Sequence, residues 1–505
     1  MSGFQTLTWS DAWYLAPELV LSIFTVLLIV VDLFLPKRIN RNVIGWLTLL
    51  GIVIAAVFVV LLIREEQVYN LMSGSYRIDD FGNILKLVFL GATGFIVLSS
   101  LGTVRDDDIK IKAEFYYLLL PATLGAMVMA SSGDLITLFV GLELLSITSY
   151  ILVAARKKER VSGEAAFKYV VTGSVASAFI LYGMSFLYGM TGSTNLMFIA
   201  QSLSTGLQSF EALLYVSLFL MIAGFAVKLA LAPFHAWSAD VYQGAATPVT
   251  AFLAIVAKGA AFAMFYRVFF MFNAFFFVNG HTTLNSDILL ALTVLAAAAM
   301  IVGTAGALRQ KNVKRLLALS GVANAGILLI PLSIGLGQFH SSHFSEFSYY
   351  LIAYAFMNIG AFSVFSIVSK DTGSEQISAF AGLYHRAPWT AGAMTVLLCS
   401  LAGLPVTGGF FGKLFILFST TQSKEYWLAA ILLVSTVISY AVYFSFIRQM
   451  YMRTGAVDSG LKISMPTGFT IWLCVIATLA LGFLPMPIID WINSIFTIEL
   501  DFLIR

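Results

Sequence analysis

Three lysines and one glutamate lie inside apolar stretches of the sequence, where charged side chains are rare. They are Glu143, Lys228, Lys258 and Lys413. A lysine in the hydrocarbon core of a membrane costs about 2.5–3.5 kcal/mol on insertion scales, so intramembrane charges usually mark ion or proton paths. A buried carboxyl and a nearby ammonium can exchange protons when their separation changes, because burial and pairing shift their proton affinities in opposite directions. These residue types therefore indicate proton transfer along the middle of a bilayer.

Each charge also has a plainer interpretation. The Glu143 carboxyl can be protonated and hydrogen-bonded, for example to a serine one turn on. Lys228 is close enough to the end of its apolar run to reach the membrane interface, whereas Lys258 and Lys413 are too deep for this. A further lysine, Lys86, lies near the end of its run, and we expect it to snorkel to the interface.

Uncharged polar residues accompany this set. His235 lies between Lys228 and Lys258, and an imidazole suits a proton relay, although a helix cap is the alternative. Asn324 interrupts an apolar helix, where it can hold water or bond a neighbouring helix. Asp240 is expected to shape a turn. The histidines expected to be solvated at span ends or in loops are His281, His340, His343 and His385.

Composition specifies the surroundings of these groups. The chain is 59% apolar and 11% charged, with a mean hydropathy of +0.91. Soluble domains carry roughly 25% charged residues, so this is a polytopic membrane protein. Its two cysteines form no CxxC or Cys/His cluster, and no glycine-rich nucleotide motif is present, so we expect no metal, cofactor or nucleic acid to bind this chain.

Apolar runs of the roughly 20 residues that cross a bilayer recur along the whole chain. Their approximate ranges are 14–35, 43–63, 80–101, 113–131, 133–154, 165–190, 211–233, 247–267, 286–308, 313–337, 345–369, 389–420, 425–450 and 468–490. We read the first run as a retained helix. The prediction is an all-α polytopic membrane protein with about fourteen transmembrane helices.

The basic residues predict the orientation. Of 29 lysines and arginines, 20 lie in alternate loops beginning with the first, and five lie on the opposite face, among them Arg77 and Arg267. The positive-inside rule places the richer loops in the cytoplasm and both termini on the opposite side of the membrane.

Two spans are interrupted, the seventh by Pro233 and the twelfth by Pro405, Gly408 and Gly409. Proline removes a backbone donor and paired glycines loosen a helix, so both spans are predicted to be broken. They lie five spans apart, and an odd offset turns the second copy upside down, as in inverted repeats. The predicted division is 1–112 (three helices), 113–272 (first five-helix repeat), 286–452 (second, inverted repeat) and 453–505 (a last helix).

Four segments of the sequence are together similar to segments of the proton-translocating, antiporter-like membrane subunits of respiratory complex I, the bacterial NADH–quinone oxidoreductase. The stretches are LFVGLELLSITSYILV, PFHAWSADVYQGAATPVTAFLAIVAK, NVKRLLALSGVANAG and LAGLPVTGGFFGKLFIL. The DVYxGA…TPVTAFL variant resembles the N type more than the L and M types. The resemblance covers nearly the whole chain.

The resemblance implies a fourteen-helix core with two inverted five-helix units. It also implies a Glu/Lys relay, in which Glu143 pairs with Lys228 and the path continues to Lys258 and Lys413. Asn324 stands where many members have a histidine, so that water held by Asn324 would serve instead. The histidine after the seventh-helix break is carried by His235.

The activity implied is proton translocation, driven by NADH oxidation and quinone reduction in other subunits. FMN and Fe–S clusters are expected in those partners, which would be complex I subunits of the A, H, J, K, L and M types and the peripheral arm. Two alternatives stay open. One is a subunit of a multi-subunit Na⁺/H⁺ antiporter, and the other is a scaffold subunit that does not pump.

Overall fold

A computed structural model of the chain describes residues 11–36, 38–65, 67–104, 108–206, 210–270, 272, 282–334, 343–454 and 460–496. Thirteen helices in these ranges are long and apolar enough to cross a membrane. The predicted helical, polytopic architecture is confirmed. His281, His340 and both chain termini lie outside the described residues.

The main helices, labelled in chain order, are α1 Ala16–Phe34, α2 Asn42–Ile63, α3 Asp80–Thr103, α4 Lys112–Ser131, α5 Leu135–Val153, α6 Arg160–Thr191, α7 Glu211–Leu229, α8 Thr247–Phe270, α9 Thr282–Leu308, α10 Val313–Ser333, α11 His343–Thr372, α12 Pro388–Ala402, α13 Gly408–Gln422, α14 Tyr426–Met452 and α15 Met465–Phe483. Shorter helices cover Leu196–Gly206, Ala236–Gly244, Leu383–Arg386 and Met486–Ile495. A small antiparallel hairpin, β1 Tyr69–Leu71 and β2 Tyr76–Ile78, precedes α3.

The predicted break in the twelfth span is present: the span is two helices, α12 and α13, because the chain turns between them. The end of the last span differs from the prediction. The last span ends at Phe483 rather than near residue 490. Pro485 follows, and the residue before a proline is disfavoured in helical conformation, so the ladder stops there.

The corner that follows α6 is repeated after α11. The sequences are TGSTNL over 191–196 and TGSEQI over 372–377. In each corner a left-handed glycine ends the helix, Gly192 at φ 68° and Gly373 at φ 67°. The next residues then pair with the start of an earlier helix. The equivalent hydrogen bonds run from Leu135 N to Thr194 O and from Val313 N to Glu375 O, each 2.9 Å long.

The ends of α7 and α12 also match. Ala230 at φ 56° and Gly403 at φ 87° take the left-handed conformation that closes many helices. The following amide bonds back to a carbonyl five residues earlier. These bonds are Leu231 N to Ala226 O at 2.8 Å and Leu404 N to Cys399 O at 3.0 Å.

Helices α5–α7 therefore correspond to α10–α12. The offset is five helices, so corresponding helices run in opposite directions across the membrane, as inverted repeats do. The most enclosed membrane helices are α8, α10 and α11, at the junction of the two copies. The predicted boundaries 113–272 and 286–452 stay a prediction.

Two buried ion pairs brace the end of the bundle opposite to the basic loops, and both correct an expectation from the sequence. Arg267, expected in a loop, lies in the last turn of α8 with no exposed side-chain surface. Its guanidinium donates to both carboxylate oxygens of Asp79, at 2.5 and 2.6 Å. Lys86 does not snorkel: it is fully buried, and its Nζ lies 2.9 Å from Oε1 of Glu18 at the start of α1.

Removing the Asp79 carboxylate is expected to destabilise the protein strongly. In Asp79→Ala the Arg267 guanidinium stays buried without its carboxylate partner, which costs about 3–5 kcal/mol. The measurement is the thermal unfolding midpoint of the purified, membrane-extracted protein. The control is Glu114→Ala, since Glu114 forms a half-exposed pair with Lys157 at 3.6 Å and such pairs contribute about 0–1 kcal/mol. Equal midpoints for both variants would contradict this account of the Arg267 pair.

Candidate functional site

Lys258 lies at the centre of the molecule. It follows a π-helical turn, Leu253–Ala257, and its residue surface is only 4% exposed. Such turns are frequent at functional sites because the wide turn redirects side chains. The Nζ of Lys258 donates to the carbonyl oxygen of Gly321 on α10 at 2.8 Å, and it lies 5.9 Å from the ring centre of Tyr242. The ammonium is thus held by a peptide carbonyl and an aromatic ring.

Gly321 occupies the position that corresponds to Glu143 in the other repeat. Glu143 comes nine residues after Asp134, the N-cap of α5, and Gly321 comes nine residues after Asn312, the N-cap of α10. The second repeat therefore has a bare backbone where the first has a carboxyl. A Cβ atom at Gly321 would lie 3.0 Å from the Lys258 Nζ, so glycine gives the lysine room to reach the carbonyl.

Lys228 and Glu143 are neighbours without a direct ion pair. The Nζ of Lys228, in the last turn of α7, donates to the hydroxyl of Ser146 on α5 at 2.9 Å. Glu143 acts on the ammonium only through space, and its buried Oε1 has no hydrogen-bond partner among the described residues. The expected direct contact is replaced by one with Ser146, one turn further along α5. Lys228 stays inside the bundle and does not extend to the interface.

Glu143 lies on the outward face of α5. That face exposes Ile136 (62%), Val140 (57%), Ile147 (54%) and Ile151 (51%), and Glu143 falls on the same stripe, partly exposed. An ionisable group at this depth seldom faces lipid because the hydrocarbon cannot solvate it. The carboxyl is therefore at an edge of this chain and not at its centre.

Asn324 connects α10 to α11. It is buried, and its Oδ1 accepts a hydrogen bond from the Tyr350 hydroxyl at 2.6 Å, while its Nδ2 donates to the Ser320 carbonyl at 2.9 Å. The Ser320 hydroxyl in turn bonds to the Tyr443 hydroxyl of α14. Of the two roles predicted for Asn324, the bond to a neighbouring helix is the one that the structure describes.

Lys413 is held by the end of a helix. It lies on α13, is 6% exposed, and donates to the Leu401 and Ala402 carbonyls at 2.9 and 3.1 Å. Those carbonyls end α12, where a helix has no internal donors for them and its dipole favours a cation. A Cβ at Gly403 would lie 3.0 Å from the lysine chain, so the break and the lysine fit each other closely.

A small cavity lies between Lys413 and Asn324. Its volume is about 20 Å³, which is room for about one water molecule. Both residues line it, together with Ser320 and Tyr443. Water-mediated contact between α10 and α13 is therefore sterically possible, and it would shorten the gap between the central and the distal lysine.

The predicted prolines lie within the breaks. Pro233 and Pro405 fall in the non-helical segments that begin at the left-handed residues Ala230 and Gly403. Gly408 and Gly409 are a correction: they are the first residues of α13. Gly409 N donates to the Ser400 hydroxyl at 3.1 Å, which packs α13 onto α12.

His235 precedes the helix Ala236–Gly244. Its side chain makes no capping hydrogen bond, so the helix-cap alternative is wrong. Its Nδ1 is buried and has no hydrogen-bond partner within the part of the chain that the structure describes. A relay role for His235 stays a prediction.

The segment after the first break is anchored at the basic end of the bundle by Asp240. Its carboxylate accepts from Lys168 of α6 at 2.7 Å and from Arg315 of α10 at 2.5 Å. Burial raises the pKa of the Asp240 carboxyl, but the hydrogen bonds from Lys168 and Arg315 outweigh burial and hold this pKa below its usual value. Asp240 therefore ties both repeats together.

Helix α11 carries a polar stripe that lies outside the set of site residues predicted from the sequence. Its members follow one another at helical spacing, and all are buried: His343, Glu346, Tyr350, Tyr354 and Asn358. The expectation that His343 is solvated is wrong, because it is only 5% exposed. Spacing of three and four residues places these groups along one face, and that pattern was the available signal.

No group of three or more His, Cys, Asp or Glu residues that could hold a metal ion occurs among the described residues. The polar groups of the site are joined by hydrogen bonds between side chains and backbone instead.

The helices, the matched corners and the matched breaks define a polytopic membrane protein built from two inverted repeats. The chain belongs to the NADH:quinone oxidoreductase/Mrp antiporter transmembrane family, whose model matches residues 132–439. It is 53% identical to the NADH-quinone oxidoreductase subunit N of Paenibacillus sp. (strain JDR-2), with all of both chains covered. It is 46% identical to that of Brevibacillus brevis, over 97% of this chain and 96% of the relative.

Solved structures agree with this family. A chain of respiratory complex I from Thermus thermophilus with bound aureothin is 30% identical and has a TM-score of 0.77, covering 94% of this chain and 98% of that one. A chain of the Mrp complex from Dietzia has a TM-score of 0.83 at 19% identity, covering 98% of each chain, and supports the fold alone. The resemblance to N-type subunits is confirmed.

Crowding the α11–α13 contact is expected to destabilise the protein. In Gly412→Ala the new Cβ would lie 2.3 Å from the Tyr350 ring, next to Lys413. Overpacking of this kind costs about 1–3 kcal/mol, so the thermal unfolding midpoint should fall. In the control Gly392→Ala, on α12, the Cβ meets open space, and alanine in a helix is favoured by about 0.5–1 kcal/mol over glycine. A midpoint for Gly412→Ala at or above that of the control would refute the close packing.

The stability difference between the unchanged protein and the Asp240→Asn variant is expected to depend on pH. Its pKa is lowered in the folded chain, so its stabilisation is present above the usual carboxyl pKa of about 4 and is lost as the pH falls through the lower, folded value. Asp240→Asn should unfold at a lower temperature than the unchanged protein at pH 7, and this gap should narrow on acidification. A gap that stays constant across the acid range would rule out ion pairing at Asp240.

Proposed function

We propose that this chain translocates protons as a membrane-arm subunit of a bacterial NADH–quinone oxidoreductase. Its relatives are named as subunit N of that enzyme, and a structural neighbour belongs to a respiratory complex I. The redox chemistry, with its FMN and Fe–S clusters, is assigned to partner subunits. NADH oxidation and quinone reduction there would drive the protonation cycle here.

The observation that carries the proposal is the row of ammonium groups across the two repeats. Lys228, Lys258 and Lys413 are each bonded to a neutral oxygen, respectively a serine hydroxyl, a glycine carbonyl and two helix-end carbonyls. A neutral oxygen stabilises the ammonium by accepting a hydrogen bond from it. After the lysine loses its proton, the same oxygen still accepts a hydrogen bond from the neutral amine, and no buried anion remains. Such a lysine can hold and release a proton with modest change in free energy.

Between the lysines lie groups suited to passing protons. Asn324 and Tyr350 bridge α10 and α11, and the cavity with room for one water connects Asn324 to Lys413. We infer that a proton moves from the region of Glu143 and Lys228 through Lys258 to Lys413. His235 is assigned a position beside the first step.

We also propose that another membrane subunit of the complex covers the outward face of α5. Glu143 lies there among exposed isoleucine and valine side chains. A neighbouring protein surface, unlike lipid, can supply charges or water to the carboxyl. The complex then lies in the bacterial cell membrane, with the basic loops in the cytoplasm and both termini outside.

Glu143 and Lys228 lie where the proposed proton path begins, and removing the ionisable group of either residue is expected to stop proton pumping. Glu143→Gln and Lys228→Ala should each lower NADH-driven proton pumping by at least about tenfold, because a positioned proton-transfer group contributes about 10²-fold or more to a rate. NADH–quinone turnover should fall with it. Pumping is measured in inside-out membrane vesicles by a pH-sensitive dye, and assembled complex is quantified by NADH oxidation with an artificial acceptor.

The matched control is Glu164→Gln, an exposed acid on α6 that pairs only with Lys168 in the described structure; it should pump normally. Full pumping by both Glu143→Gln and Lys228→Ala would overturn the proposal and leave a scaffold role. Purification of the chain without flavin and Fe–S subunits, and with Na⁺-dependent proton exchange, would favour the antiporter alternative.

A further inference from the structure

A buried acid–base cluster lies where α11 begins, at the end of the bundle opposite to the basic loops. Glu346 is 2% exposed, and one of its carboxylate oxygens accepts a hydrogen bond from the Ser419 hydroxyl of α13. Its other oxygen, Oε2, is 3.8 Å from Nδ1 of His343. Both imidazole nitrogens of His343 are buried and have no hydrogen-bond partner in the described part of the chain. A carboxyl, an imidazole and a hydroxyl are therefore gathered in an interior that otherwise disfavours charge.

This cluster is connected to the distal lysine by two helices. On α13, Ser419 comes six residues after Lys413 and both are buried, so the two are about 9 Å apart along the helix axis. On α11, Glu346 is one turn before Tyr350, whose ring packs against Gly412 beside Lys413 and whose hydroxyl bonds to Asn324. The stripe on α11 thus runs from the lysine row to the cluster.

Two other buried acids at this end lie close to fixed cations: Asp79 to Arg267, and Glu18 to Lys86. The Glu346 Oε2 faces a histidine across a gap longer than a hydrogen bond, with a titratable group on each side of that gap. Such spacing suits a bridging water and proton exchange.

We propose that Glu346 and His343 form the exit of the proton path, with Glu346 receiving the proton that Lys413 releases. This inference rests on the proposed function of the lysine row. It assigns a direction to that row: protons leave at the end of the bundle that lacks the basic loops. It also gives a role to the polar stripe of α11, which the lysine row alone leaves unexplained.

The transfer is balanced in three steps. An N–H bond of the Lys413 ammonium breaks and leaves a neutral amine, while an O–H bond forms on the Glu346 carboxylate through intervening water. The O–H bond of Glu346 then breaks as an N–H bond forms on His343, which becomes an imidazolium. The imidazolium finally releases its proton to water beyond the end of the bundle, which returns Glu346 and His343 to their starting states. The neutral Lys413 amine regains a proton from the lysine row before the next cycle.

The test is Glu346→Gln in the intact complex, since glutamine keeps the shape and the bond from Ser419 but cannot carry a proton. NADH-driven pumping per assembled complex should fall by at least about tenfold, while assembly is unchanged. Glu346→Asp, which keeps the carboxyl, should restore part of the pumping. A carboxyl band in redox-induced infrared difference spectra should disappear in Glu346→Gln.

The matched control is Asp287→Asn at the same end of the bundle, where the carboxylate accepts from the Tyr215 hydroxyl at 2.6 Å on the exposed surface. It should pump normally. Normal pumping by Glu346→Gln, with pumping lost in Lys413→Ala, would overturn the exit and leave the proposed function standing. Normal pumping in both would overturn the proposed function itself. Less assembled complex with unchanged pumping per complex would make Glu346 a structural residue and would also overturn the exit.

Discussion

A lysine ammonium that leaves water needs a replacement for its hydration, and in this protein peptide carbonyls supply it. Lys258 is bonded to the Gly321 carbonyl, and Lys413 to the last carbonyls of α12. The structural cations differ, because Arg267 and Lys86 are matched by carboxylates. In a carboxylate pair, loss of the cation's proton would strand a buried anion, which costs several kcal/mol or more. A carbonyl has no charge to strand. The choice of partner thus separates cations paired with buried carboxylates from cations held by neutral oxygens.

The inverted repeats create these carbonyl sites. Because α12 ends at a left-handed Gly403, its terminal carbonyls have no amides of their own helix to accept from, and Lys413 on the following helix reaches them. The same break after α7 presents the Val227 carbonyl, which there accepts from the Trp237 indole at 2.9 Å. The repeats differ again where Glu143 and Gly321 correspond. One copy keeps an acid at its edge, and the other offers bare backbone to a lysine from its partner copy. The two copies thus share backbone geometry but differ in side chains, so their buried groups are not two identical sites.

The groups that cost the most free energy to place in a membrane could be predicted from the sequence. The lysines and Glu143 were visible because each interrupts an apolar run, and the broken helices were visible from their prolines. The features that could not be predicted depend on contacts between residues that are far apart in the chain. Lys86 was read as snorkelling because Glu18, 68 positions earlier in the chain, comes beside it only in the folded bundle. His343 was assigned to solvent because it starts a span, and only packing against α8 and α13 buries it. Tyrosines on α11 were overlooked because a hydroxyl hardly alters hydropathy, although their spacing could have revealed the stripe.

The charged site residues differ in how deeply they are buried. Lys258 and Lys413 are enclosed, whereas Glu143 lies on an exposed face and Lys228 is only partly buried. A charge placed about 4 Å from Glu143 by a neighbouring chain would act on it with about 4 kcal/mol at the effective dielectric of such sites. Lys228, bonded to Ser146 and not to Glu143, leaves the carboxyl open to such control. Glu143 therefore lies at an exposed edge of the chain, and Lys258 and Lys413 lie in its enclosed interior.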